Sequence, residues 1–80
     1  METRVAVISI FIENPDSVQA MNELLHQYSS YVIGRMGIPY RAMGSNIISV
    51  AVDAPQDQIS ALSGKIGRRP GVSAKAAYSK

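Results

Sequence analysis

The chain predicts an α+β domain with the element order β-α-β-β-α-β, an antiparallel four-stranded sheet carrying two helices on one face. Three observations predict it. Four runs rich in Val, Ile and Ala have strand length, and two intervening segments space their apolar residues as helices do. In addition, a proline follows the first and the third strand at equivalent places, Pro15 and Pro55. They lie forty residues apart in a chain of 80, so the domain reads as a doubled half.

Arg4 to Glu13 is the first strand. Val5, Val7 and Phe11 alternate with Ala6, Ile8, Ile10 and Ile12, so both faces are apolar and both are expected to be covered. Asn14-Pro15-Asp16 then stops the strand and starts a helix: Asn14 can cap, Pro15 suits the first turn and Asp16 suits the positive end of the dipole. Val18, Met21, Leu24, Leu25 and Tyr28 form the apolar stripe of a helix over about residues 15–29. Tyr31 to Tyr40 is the second strand. Arg41-Ala42-Met43-Gly44 is a turn, and Ser45 to Asp53 is the third strand, which closes a hairpin. Asp53-Ala54-Pro55-Gln56-Asp57 repeats the strand-to-helix device. Ile59, Leu62 and Ile66 supply the stripe of a second helix ending near Gly64 to Gly67. Arg68 to Gly71 is a turn, and Val72 to Tyr78 is the last strand.

This order is the ferredoxin-like plait, in one domain spanning residues 1–80. Its helices cover one face of the sheet only. The doubly apolar first strand therefore predicts a homo-oligomer, dimer or tetramer, in which a second copy covers the other face. Composition agrees: 46% of residues are hydrophobic and only 18% charged, which is apolar for so small a domain. A net charge of +2 is too mild to imply nucleic acid or an anionic membrane. The absence of cysteine excludes disulfides, redox dithiols and thiolate metal sites. With no leader pattern and no membrane-length apolar run, the chain is expected to be cytoplasmic.

Many activities live on this fold, so the residues must discriminate. RNA-binding plaits stack bases on aromatic side chains of the two central strands, yet Phe11 is the only aromatic there. Glu13-Asn14-Pro15-Asp16 is too acidic to cradle a phosphate in the manner of acylphosphatases. His26, the single histidine, has no second ligand, and neither metal nor cofactor is expected. Ser63-Gly64-Lys65 resembles the end of a phosphate loop but lacks its upstream glycine and falls late in a helix. Lys65, Arg68 and Arg69 suit a helix C-terminus, with an anion site as the minor reading. No nucleophile–base pair or carboxylate dyad appears, so no enzyme is expected.

Val32 to Arg41 breaks the strand rules with two glycines, a proline and two arginines. Glycine in a strand marks a bulge or a close approach, and proline confines the segment to a strand end or sheet edge. One reading is an irregular edge strand. The other is a binding strand: Gly34 and Gly37 give room while Arg35 or Arg41 pairs with an anionic group. The candidate effector-binding set is Gly34, Arg35, Gly37, Tyr40 and Arg41, with His26 contributing from the first helix.

Three segments carry a resemblance: Asn22-Glu23-Leu24-Leu25-His26, Gly34 to Arg41, and Ile59 to Gly67 with Pro70-Gly71-Val72. Together they make the chain resemble the ACT-like group of iron-only hydrogenase system regulators along nearly its whole length. The resemblance implies a stand-alone regulatory domain associated with hydrogenase genes. Joined to the arginines of the second strand, the leading reading is a sensor of a small anionic effector, and the alternative is an adaptor that contacts a hydrogenase-related protein. A more distant similarity runs to the regulatory domain of nickel-responsive repressors. Aligning the ends of the first helix places a metal histidine of that family on His26 and its other ligands on Gly37, Pro39 and Ser45, which cannot hold nickel. Nickel sensing is therefore not expected and, with no ribbon-helix-helix segment before Arg4, neither is direct DNA binding.

Overall fold

The computed structural model describes residues 2–79, and Arg41 by its backbone alone. Its strands are β1 (Arg4–Ile12), β2 (Val32–Tyr40), β3 (Ser45–Ala54) and β4 (Val72–Tyr78). Its helices are α1 (Val18–Gln27) and α2 (Gln56–Gly67). The strands form one antiparallel sheet in the order β2-β3-β1-β4, the ferredoxin-like arrangement. β2 and β4 are its edges.

One face of the sheet meets both helices and holds the core. Ala6, Ile8, Ile10 and Ile12 of β1 and Ile48, Val50 and Val52 of β3 are buried against Met21, Leu24 and Leu25 of α1 and Ile59, Leu62 and Ile66 of α2. Every side chain of both helical stripes faces inward; Val18 alone is only partly buried. Tyr28 closes the end of this core, and Lys65 Nζ donates to its Oη at 2.9 Å, so the phenol keeps a partner while its ring is buried.

The first crossover forms as its residues dictate. Asn14 is extended, and its Oδ1 accepts from the Asp16 backbone N–H at 3.0 Å, opening a 3-10 turn over Pro15–Ser17 that leads into α1. Ser17, at the cap position of α1, makes no cap bond because its Oγ donates to the Pro70 carbonyl at 2.8 Å. Beside it the Glu13 N–H donates to the Gly71 carbonyl at 2.7 Å. Gly71 sits at φ +67°, and a Cβ there would lie 2.6 Å from the Asn14 Cβ, so only glycine fits this junction.

Several boundaries differ from the expected ones. The helical stretch of residues 15–29 divides into the 3-10 turn, α1 and a second 3-10 turn over Ser29–Tyr31, so Tyr31 precedes β2 rather than opening it. β1 stops one residue early, at Ile12, and β3 runs one further, to Ala54. Pro55 therefore occupies the cap position itself, with no side-chain cap, and the second crossover is one residue out of step with the first.

The opposite face of the sheet carries no helix. Register sets three rows of side chains across it. Ile38, Ile47, Phe11 and Ser73 form one, Met36, Ser49, Ser9 and Lys75 the next, and Gly34, Ala51, Val7 and Ala77 the third. β1 is thus covered on one face within the chain, while Val5, Val7 and Phe11 remain exposed on the other.

Candidate functional site

β2 is the irregular element. A bulge between Val32 and Gly34 inserts Ile33 into the ladder with β3. Its consequence is a change of phase. Val32 pairs with Val52 and faces the helices, so plain alternation would turn Gly34, Met36 and Ile38 inward as well. Past the bulge, Arg35, Gly37 and Pro39 instead pair with Val50, Ile48 and Asn46 and face the helix layer. Met36, Ile38 and Tyr40 turn to the open face.

The helices do not fill the space that this strand leaves. From Ile33 to Tyr40 every residue of β2 is exposed, including Arg35, Gly37 and Pro39 on the helix side of the sheet. The result is a groove between α1 and β2 in two parts, both lined by Arg35. One, of about 340 Å³, is lined by Asn22, Leu25, His26 and Ser29 with Val32 and Arg35. The other, of about 220 Å³, runs past Gly37 and Pro39 between Val18 and the Asn46–Ile48 stretch of β3. No atom lies within 4 Å of a Cβ built on Gly37, so its missing side chain is space for something else. Arg35 Nη2 donates to Asn22 Oδ1 at 2.9 Å. That bond uses one of five guanidinium donors and holds the fork across the groove.

Of the residues that the sequence singles out, His26, Arg35 and Gly37 therefore share one groove. Gly34 and Tyr40 lie on the opposite face of the sheet, and the side chain of Arg41 is outside the described residues. Asn22 and Ser29 belong to the groove without having been singled out. Their signal was present: Asn22, Leu25, His26 and Ser29 follow the i, i+3, i+4, i+7 spacing of one helical face.

A second cleft lies between the helices, with Ala20, Glu23, Leu24 and Gln27 on one wall and Lys65, Arg68, Arg69 and Pro70 on the other. Glu23 opposes the basic wall there, and Lys65 is already tied to Tyr28, so its charge is less concentrated than the sequence implies. Among the described residues, no three His, Cys, Asp or Glu side chains converge as metal ligands do. Among the same residues, no helix is long and apolar enough to cross a membrane.

The molecule is a small ferredoxin-like plait with a basic, partly apolar groove beside its edge strand. Comparison places it further. The chain belongs to the TM1266-like family, described as "Iron-only hydrogenase system regulator, putative", whose match covers residues 4–76. Among solved structures it is similar to the uncharacterized protein TM1266 from Thermotoga maritima. The two are 34% identical with a TM-score of 0.95, over 99% of this chain and 100% of that one. No match is found among curated proteins. The family is thus one described as regulatory, in agreement with the resemblance carried by the three sequence segments.

Proposed function

We propose that this protein is a regulatory domain of an iron-only hydrogenase system that binds a small anionic effector in the groove between α1 and β2. The observation that carries the reading is the position of Arg35. It lines both parts of the groove, is fixed by Asn22, and faces no carboxylate among the residues that line the groove. A carboxylate or phosphate would take the free side of the guanidinium fork, with His26 and Ser29 offering further hydrogen bonds. Leu25, Val32 and Ile48 would hold the ligand's apolar part. Regulation then requires a differential affinity: the effector must bind one arrangement of subunits more tightly than another. β2 is the physical link, since its alternate residues line the groove and the open face of the sheet.

The test is a titration of the ¹⁵N-labelled protein with acetate, succinate and inorganic phosphate. The expected result is saturable shifts at Arg35 Nε–H and at the His26 ring, with the His26 shift lost in Arg35→Ala. If none of these anions moves either signal, or if the His26 shift persists in Arg35→Ala, the groove does not bind anions through Arg35.

An adaptor role is favoured by a different observation. β2 is a sheet edge, exposed from Ile33 to Tyr40, and could add a strand from a hydrogenase-related partner protein. Pro39 lacks an N–H, which limits the length of such pairing. A partner retained after dialysis has removed every small molecule would support this reading over the first.

A further inference from the structure

The open face of the sheet is the largest feature that the groove does not use. Val5, Val7, Phe11, Met36 and Ile38 are all exposed there; Phe11 keeps 47% and Met36 59% of their surface. Over the strand positions that point to this face, the only charges are Lys75, on the edge strand β4, and Asp53, at the far end of β3. Its centre is the cross-strand pair Ser9 and Ser49, small side chains between two apolar rows.

We infer that this face is the contact between two copies of the chain, packed sheet on sheet about a two-fold axis. This deepens the regulatory reading above by naming the subunit arrangement on which an effector would act. Three arguments choose a second copy as the occupant. The first is area. Strands of about nine residues at roughly 3.3 Å each, four abreast at roughly 4.8 Å, span on the order of 600 Å² in projection. Side-chain relief brings this near the roughly 800 Å² per partner of a standard stable interface. The second is charge. A face with one cation and one anion, both at its periphery, is electrically neutral at its centre and can meet itself without opposing like charges. The third is shape. The shallow row at Ser9 and Ser49 lies between ridges at Phe11–Ile47 and Val7–Ala51, which suits two sheets interdigitating about 10 Å apart.

Sedimentation equilibrium at micromolar concentration tests the inference, using the full chain and its Phe11→Lys and Ile38→Lys variants. Both positions are exposed, and circular dichroism would establish that each variant is folded. The expected result is a dimer or a dimer of dimers for the unchanged chain, with Kd raised at least about a hundredfold by either substitution. Arg35→Ala, on the other face of β2, should leave the dimer intact, so the effector reading can fail without this inference failing. A second measurement does not rely on those variants. The chain has no cysteine, so Ser9→Cys places a single thiol at the centre of the face. A short bifunctional maleimide should then link two copies. A monomer at every concentration, a dimer untouched by Phe11→Lys and Ile38→Lys, or a Ser9→Cys dimer that does not cross-link would each overturn the inference. A monomer would leave the face to a different protein.

Discussion

Gly37→Val separates the groove from the fold. Gly37 lies in β2 with φ outside the left-handed region, and a Cβ there meets nothing within 4 Å. The fold therefore makes no demand for glycine at this position. Valine would lower the entropy of the unfolded chain and suit a strand, worth about 0.5–1 kcal/mol in favour of the folded state. For a domain of this size that raises Tm by roughly 2–8 °C. The same side chain would project into the part of the groove, about 220 Å³, that lies between Arg35 and Pro39. An anion that reaches Arg35 through this space should lose at least about tenfold in affinity, or about 1.4 kcal/mol. Thermal unfolding and the anion titration, run on the same preparation, read the two effects separately. Binding unchanged in Gly37→Val would refute the part of the groove beside Gly37 as the effector's place. A loss of more than about 1 kcal/mol of stability would show that the glycine serves the backbone and not a ligand.

Four further outcomes follow from contacts already described. Gly71→Ala should cost about 2–4 kcal/mol, read by urea unfolding, because it combines φ +67° with a Cβ 2.6 Å from Asn14. Asn14→Ala keeps that Cβ and loses only the cap to Asp16, so about 1 kcal/mol is expected. Ile10→Ala opens a cavity where the side chain is fully buried and should cost about 2–5 kcal/mol, enough to unfold much of the protein at physiological temperature. Arg35→Ala should change Tm little, since the exposed guanidinium makes one bond to Asn22, while abolishing the anion response.

The fold was legible wherever one residue type forces one outcome. Alternation along β1 set Ala6, Ile8, Ile10 and Ile12 on one face and Val5, Val7 and Phe11 on the other, without saying which face the helices bury, and Asn14-Pro15 marked the strand's end and the helical turn after it. The misread boundaries lie where local chemistry permits several conformations. Ser29 and Ser30 fit a helix end or a 3-10 turn equally well, and Pro55 is as acceptable at the cap as one residue later. The site was legible only in part, for a reason of phase. Gly34 and Pro39 announced a bulge and an edge, and β2 has both, but the sequence does not say after which residue the pleat shifts. That single inserted residue decides that Arg35 and Gly37 face α1 while Gly34 and Tyr40 face away. Asn22 became part of the site only once the strand opposite it was known.

On the proposed reading β2 serves two faces, an effector groove through Arg35 on one and self-association on the other. Native mass spectrometry of protein purified without air, compared between the unchanged chain and Arg35→Ala, tests both at once. The predicted spectrum is dimers or tetramers carrying one extra mass per subunit, and the same assemblies without that mass in Arg35→Ala. Bare monomers, or an extra mass that Arg35→Ala retains, would contradict it.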